Sequence, residues 1–438
     1  MGATRPRASS LLDALPGPLR PGLTVADRLQ RAGWETYLVG GVVRDLLLGR
    51  TPADLDIATA APPGTVRALF AHTVPVGAEF GVTAVIADGR PYQVATFRRE
   101  GPYLDGRRPS FVERGDLATD AARRDFTINA LYLDPRTGTV RDLVGGQADL
   151  AARVVRAVGD PAERFREDRL RMLRAVRLAT ELGFTLDAGT RGAIEAAAPL
   201  VASVSAERVR DELLRLLAAP QRAAGARLLA ETGLLGVVLP ELAEPGAGDR
   251  LAVTLACLEA LRRPEATLAL AAMLHTLDFA RVEAVCRRLR VPSAQRRAVV
   301  ALIAGLPAVP VLSRKRPSEV RALLRHAGAA ALLELSRAAA VARGEGTRAA
   351  RRAAVVVASV PADGLAALLS GRDLRALGLA PGPQYRAILD AVGQARARGE
   401  IASPAEARAW VRARLRAGGH AVTVERSRRS ARSGGPGG

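Results

Sequence analysis

Lysine is almost absent from these 438 residues: Lys315 stands alone, so the net charge of +20 is carried by arginine. A guanidinium forks onto phosphate oxygens in pairs, and this excess points to a polyanionic partner, nucleic acid first. Cysteine is nearly as scarce. Cys257 and Cys286 stand far apart with no CxxC spacing, which excludes a disulfide framework and a cysteine zinc site. They read as small buried thiols on helices. Histidine is limited to His72, His275, His326 and His420, too scattered to assemble a metal centre. Aromatic residues make up 3%, so the core must be built from Leu, Val and Ala. No uninterrupted apolar run approaches the roughly eighteen residues of a bilayer-spanning helix. The opening MGATRPRASSLLDALPGPLRPG lacks the apolar stretch of a secretory signal. The expectation is a soluble cytoplasmic protein with no membrane partner.

What is present is ordinary in bulk: 48% hydrophobic and 25% charged residues, enough for a sizeable core. The length suggests two to four domains, at roughly 150 residues each. Two textures divide the chain. From about Val25 to Gly159, short runs such as ETYLVGG, LDIATA, GVTAVIADG and PYQVATF alternate with turns and short helical stretches, the pattern of a small α/β domain on one mixed sheet. Beyond Asp160, long amphipathic patterns take over, punctuated by Gly and Pro. The divisions expected are an N-terminal extension (1–23), an α/β head (24–159), a helical neck (160–245), a helical body (246–360), a helical tail (361–420) and a basic, disordered C-terminus (421–438).

Three clusters carry chemistry. In YLVGGVVRDLLLGRTPADLDIAT, a strand ends in Gly40 and Gly41 and a helix opens at once with Arg44 and Asp45. Paired glycines let backbone N–H groups approach a phosphate, and Arg44 adds a charged fork. Asp54 and Asp56 follow in a strand-like run, where residues two apart share a face. Two carboxylates held together call for a cation, and hard oxygen ligands suit Mg²⁺. The second cluster, AARRDFTINALYL, sets Arg123 and Arg124 beside Asp125, a third carboxylate. In the third, RFREDRLRMLRAVRLATELGF, Asp168 and Arg171 lie three apart on an expected helix and so become neighbours, acceptor beside donor.

Together, GGVVRD, DLD, RRDFTINA and EDRLRMLRAVR resemble the class II, eubacterial-type tRNA nucleotidyltransferases and related poly(A) polymerases of the DNA polymerase beta superfamily. The resemblance continues through SAERVRDELLRLL and GLLGVVLPEL. It reappears in GRDLRALGLAPGPQYRAIL, a block associated with CCA-adding members more than with poly(A) polymerases. It implies a nucleotidyltransferase head with a mixed sheet, followed by an all-α neck, body and tail. It also implies that Asp54 and Asp56 hold catalytic Mg²⁺ and that Gly40, Gly41 and Arg44 meet the triphosphate. Arg123 and Arg124 would contact sugar or phosphate. Asp168 and Arg171 would template the base, with Arg174 and Arg177 as further nucleotide-site arginines. Steps of three on a straight helix drift by about 60° each, which turns Arg177 nearly opposite Asp168.

The implied substrates are ATP, CTP and tRNA. The RNA 3′-hydroxyl attacks the α-phosphate and pyrophosphate leaves, with metals rather than a covalent intermediate supporting the step. Cytosine and adenine each offer an amino donor beside a ring-nitrogen acceptor, which one Asp and one Arg satisfy. Uracil and guanine reverse that pattern and leave buried polar groups unpaired, at about 1–3 kcal/mol each. Gln93 stands where many members carry glutamate, leaving Asp125 as candidate third acidic residue. The segment REGPYLDGRRPSFVERGD corresponds to the family's flexible loop and is not truncated, which disfavours a CC-adding specialist. An A-adding specialist of a split CC/A system and a poly(A) polymerase stay as alternatives. A degenerate, merely RNA-binding head would have lost the carboxylates. In LHTLD, the adjacent His-Asp pair of metal-dependent phosphohydrolases is missing, and His275 reads as a core residue. Monomer and homodimer are equally compatible with the sequence.

Overall fold

The β-branched and aromatic run TYLV forms β1 (Thr36–Val39), buried along its whole length. In the computed structural model, which describes residues 8–76, 81–103, 105–244, 248–263, 265–312, 328–358, 368–397 and 400–416, this strand lies inside a mixed seven-stranded sheet. The order across the sheet is β3 (Thr73–Pro75), β4 (Val82–Ala87), β5 (Arg90–Thr96), β2 (Asp56–Thr59), β1, β8 (Leu131–Leu133) and β9 (Val140–Asp142). The β2–β5 pair is parallel and its neighbours are antiparallel. Register sets Val39 opposite Asp56, and Asp56 beside Gln93. A separate ribbon, β6 (Arg98–Glu100) with β7 (Val112–Arg114), carries the segment read as the flexible loop.

The few aromatic residues are concentrated rather than spread. Tyr37 stacks on Phe97 at 6.5 Å and meets the edge of Tyr132 at 6.0 Å, forming one face of the head's core. Tyr92, Phe126 and Phe165 are also fully buried. The Leu/Val/Ala core expected from composition is found in the helices beyond, as in the run Leu268–Leu274, which is buried throughout.

The chain divides into two compact units, 1–299 and 300–438. In the first, the head is followed by helices only, apart from a two-residue pairing of Val154–Val155 with Thr185–Leu186. Asp160 caps the Pro161–Glu167 helix through Ala162 N at 2.9 Å, and Gly183, in the left-handed region, ends the Leu170–Leu182 helix. Arg222 is buried without a carboxylate. It donates instead to the carbonyls of Leu217, Leu258 and Leu261 at the ends of two helices, whose negative dipole ends suit it. Cys257 and Cys286 are buried on helices, as expected, and burial pushes the Cys286 thiol up to about 11. Ser293–Val311 is, by length and mean hydropathy alone, apolar enough to cross a membrane, yet it is not an uninterrupted apolar run. Arg296 and Arg297 interrupt it, and its α-helix gives way at Leu306–Ala308 to a 3₁₀ turn.

In the second unit, Leu369, Leu374, Val392, Ile401 and Val411 form a small core, closed by Tyr385 and Trp410. Arg414 lies over the Trp410 ring at 4.1 Å. The basic segment 421–438 lies outside the described residues.

Candidate active site

The glycine pair and the paired aspartates meet where β1 and β2 run side by side. Gly40 has φ +81° and ψ −134°, a conformation essentially reserved for glycine, and it turns the chain from β1 into the Gly41–Leu47 helix. A Cβ on Gly41 would sit 3.5 Å from Nη2 of Arg44 and 4.0 Å from Oδ1 of Asp54, so one bare backbone position borders both. Asp54 lies in the loop just before β2 rather than within it, a correction to the strand expected there. Asp56 is the first residue of β2. Asp54 is exposed and Asp56 half-buried.

Burial and the neighbouring Asp54 charge together push the Asp56 carboxyl up to about 6, against the opposing pull of Arg124. A carboxylate that resists ionisation in its neighbour's field is a donor that a divalent cation relieves, so the residues present fit a hard metal ion. Among the described residues no group of three His, Cys, Asp or Glu side chains could hold a metal. An ion here would complete its shell with water and substrate oxygens. Gln93 shares a cavity of about 310 Å³ with this pair but brings an amide where a charge would serve.

The influence of Arg124 on Asp56 ties this acidic end to a second cavity, of about 410 Å³, in which eight of thirteen lining residues are arginine. Such a lining suits a ligand rich in hydrogen-bond acceptors. Its anchor is Asp120, 1% exposed, which accepts from Arg123 at 2.5 Å, Arg124 at 2.9 Å and the Tyr132 hydroxyl at 2.7 Å. Burial opposes ionisation of Asp120, but Arg124, Arg123 and Tyr132 outweigh it and bring the carboxyl down to about 2. From the β6–β7 ribbon, Glu100 accepts from Tyr103 at 2.5 Å, Arg98 at 2.6 Å and Arg123 at 3.2 Å. The ribbon therefore leans on the same arginine as Asp120. Near its tip, the carbonyl of Gly106 accepts from Arg169 N at 3.4 Å.

Several expected residues converge here: Arg123, Arg124, Asp125, Asp168, Arg171 and Arg174 all line this cavity. Three details differ from the sequence reading. Asp168 and Arg171 do not share a helix. Asp168 ends the Pro161–Glu167 helix in an extended conformation, and the next helix opens at Leu170. Asp168 Oδ2 accepts from Arg208 at 2.8 Å, and Arg171 donates to Glu167 at 2.5 Å and to the Arg123 carbonyl at 3.2 Å. Asp125 does not join Asp54 and Asp56 as a third metal-holding carboxylate. It takes a 2.6 Å salt bridge from Arg174 and hydrogen bonds from Phe126 N and Asn129. Burial raises its carboxyl, but Arg174 and Arg171 hold it below the ordinary range. Arg177 is buried between Glu212 and Glu181 and does not line the cavity. Its place is set by packing against those two glutamates; drift counted from Asp168 does not apply, because Asp168 is not on this helix.

Asp120, Glu100, Tyr103 and Arg208 were missed. Asp120 had a signal, since on a helix it stands three and four residues before Arg123 and Arg124. Arg208 lies in the SAERVRDELLRLL segment, but its pairing with Asp168 spans 40 residues and left no local signal. Asn129 was also missed: it accepts from Arg44 Nη1 at 2.7 Å and donates to Asp125, linking the glycine end to the arginine cavity. His275 donates from Nδ1 to the Ala272 carbonyl, 2.7 Å away, and belongs to no metal group among the described residues.

Comparison with known proteins places these features. Residues 36–156 match the family described as the poly A polymerase head domain, and residues 183–244 match the probable RNA and SrmB-binding site of polymerase A. The CCA-adding enzyme of Geobacillus thermodenitrificans is 49% identical over 232 residues, covering 52% of this chain and 56% of that protein. That of Levilactobacillus brevis is 46% identical over 226 residues, covering 51% of this chain and 56% of that protein. The aligned part thus spans a little over half the length of these relatives. Among solved structures, the Bacillus stearothermophilus CCA-adding enzyme in complex with CTP superposes with a TM-score of 0.68 at 33% identity, covering 92% of this chain and 99% of that one. The Thermotoga maritima CCA-adding enzyme complexed with tRNA, at 20% identity and a TM-score of 0.61, shares the fold.

Proposed function

The chain belongs to the nucleotidyltransferase family with a poly(A) polymerase-type head that includes the CCA-adding enzymes, and from that premise we propose that it builds or repairs the 3′-terminal CCA of tRNA from CTP and ATP. The observation that carries this reading is the pairing of an acidic end, Asp54 and Asp56 beside Gly41 and Arg44, with an arginine-lined cavity that also contains Asp168. A nucleoside triphosphate spans such a pair with its phosphates at one end and its base at the other.

In the reaction, the 3′-oxygen of the tRNA forms a bond to the α-phosphorus, the α–β bond breaks, and pyrophosphate leaves. Asp54 and Asp56 would hold Mg²⁺, which when bound supplies charge neutralisation and acidifies the attacking hydroxyl. The N–H groups at Gly40 and Gly41, with Arg44, orient the triphosphate. Arg124, fixed by Asp120 and Tyr132, presents its guanidinium to the sugar or phosphate without first having to find its own place. Asp168 accepts the amino group of C or A, and Arg171 or a neighbouring arginine donates to the ring nitrogen. The arginines of the helical neck, body and tail would track the acceptor and T arms of tRNA, mainly through phosphates and shape.

The test uses three tRNA transcripts, lacking CCA, ending in C and ending in CC, each given CTP, ATP or both with Mg²⁺. Addition of CC and then one A to the first transcript supports the proposal. Extension of the CC-ending tRNA alone makes the protein an A-adding specialist. Long A tracts on any RNA make it a poly(A) polymerase, and no extension in any lane overturns nucleotidyl transfer.

A further inference from the structure

Asp168 lies at a break between helices, and no contact with Arg171 holds its side chain. Two groups do. The backbone N–H of Leu170 donates to Oδ1 at 3.1 Å, a local contact that any residue at 170 except proline would make. The other is Arg208, on the Ala206–Ala218 helix, whose Nη2 donates to Oδ2 at 2.8 Å from 40 residues away. Both side chains line the arginine-rich cavity, with Asp168 15% and Arg208 26% exposed. A carboxylate has about four acceptor positions, so two such donors leave one oxygen lone pair or more on each side for an incoming amino group.

We propose that Arg208 is the positioning residue for base selection: it fixes the plane of the Asp168 carboxylate so that the group accepts the amino donors of cytosine and adenine and turns away the carbonyls of uracil and guanine. This rests on the assignment of Asp168 to base readout made above. The physical reason is geometric. Discrimination between an amino and a carbonyl group requires the acceptor within about 0.5 Å of its productive place. With Leu170 N alone the carboxylate can rotate about its side-chain bonds, and a rotated carboxylate lets a base with the reversed donor pattern slip past without facing it. Arg208 is suited to this because its planar fork fixes direction as well as charge, which an ammonium does not.

The experiment measures kcat/KM for CTP and for UTP on a tRNA lacking CCA, and for ATP and GTP on one ending in CC, with wild type, Arg208→Gln, Arg208→Lys and Asp168→Ala. The expected result is a CTP/UTP and ATP/GTP preference that drops tenfold or more in Arg208→Gln. Arg208→Lys should fall between Arg208→Gln and wild type. A uniform loss on all four nucleotides, with the ratios intact, would mean a structural role only and overturn the proposal. A gain in CTP affinity in Arg208→Gln would overturn it too, since Arg208 would then be an occupant that substrate displaces. Should Arg208→Gln fail to fold, Arg208→Lys carries the same ratio test alone. If wild type discriminates but Asp168→Ala discriminates equally well, the base-readout assignment fails, and if wild type transfers no nucleotide the functional reading fails, each apart from the role of Arg208.

Discussion

The two ends of the site handle buried charge in opposite ways. At the acidic end, Asp56 has a like charge beside it and its carboxyl is pushed up to about 6. At the arginine end, Asp120 is more deeply buried, yet two guanidiniums and a tyrosine hydroxyl bring it down to about 2. Burial alone would raise both. The difference lies in the partners: Asp120 is complete within the protein, whereas Asp56 has a deficit of positive charge that a bound cation would fill. An end that is satisfied in the free protein serves as scaffold. An end that is not is where a ligand has most to gain.

The largest effect should come from breaking the unsatisfied end. Asp56→Asn removes one of the two carboxylates proposed to hold a cation, and Lewis-acid support of several kcal/mol corresponds to a fall in nucleotide addition of about a thousandfold or more. Folding should survive, because the substitution also relieves repulsion with Asp54. Retention of more than a tenth of wild-type turnover in a gel-based addition assay would end the metal assignment. The Asp120→Asn variant breaks the satisfied end instead. It leaves Arg123 and Arg124 under-compensated in a buried setting, a defect typically worth about 3–5 kcal/mol. A fall in the denaturant midpoint should therefore accompany a loss of turnover of about tenfold. Full stability in this variant would show that the anchor is not one.

The contrast also predicts opposite pH behaviour in metal-free protein. The folded pKa of Asp56 exceeds its unfolded value of about 3.8, so its penalty is present above about pH 6 and is relieved as pH falls toward 4. The size is about 3 kcal/mol. Asp120 is shifted the other way: its contribution, about 2 kcal/mol, is present above about pH 4 and is lost as pH falls through about 2. Denaturant midpoints in chelator from pH 7 to pH 2 should therefore rise between 6 and 4 from this term and decline below it. Subtracting the Asp56→Asn profile should remove the first limb and leave the second. An unchanged first limb would mean that another group carries it.

What the sequence made legible follows from how far each contact reaches along the chain. The glycine pair, Arg44, Asp54 and Asp56 are local: a turn and a strand start set them, so their order in the chain nearly states their arrangement. The mixed sheet was legible too, from the alternating runs that became β1, β4 and β5. The arginine cavity was legible in its members and not in its pairings. EDRLR reads as one helix by periodicity, and nothing in it announces that Asp168 ends one helix and Leu170 opens another. That break frees Asp168 from Arg171 and hands it to Arg208, which only the folded chain brings near. Glu100 likewise gains a second arginine, beside the local Arg98, from the segment around 123, 23 residues on. In Ser293–Val311, by contrast, the sequence shows directly the two arginines that an average of hydropathy conceals.

The smallest kinetic effect separates arginines that line the cavity from one that only shares their helix. Arg177 lies three residues beyond Arg174, yet its Nη1 meets Glu181 at 2.5 Å and its Nε meets Glu212, with 4% of the side chain exposed. An Arg177→Met variant keeps the apolar stem of the side chain but removes the guanidinium and leaves those two glutamates without their buried cation. Stability should fall by about 3 kcal/mol or more. The KM for CTP and the CTP/UTP preference, measured well below the melting temperature, should stay within about twofold of wild type. Arg174→Met should do the reverse in kinetics, because Arg174 lines the cavity and holds Asp125 at 2.6 Å. Its expected mark is a raised KM for both CTP and ATP. Equal KM changes in the two variants would mean that position around the helix, which divides them here, does not decide which arginine reaches the nucleotide.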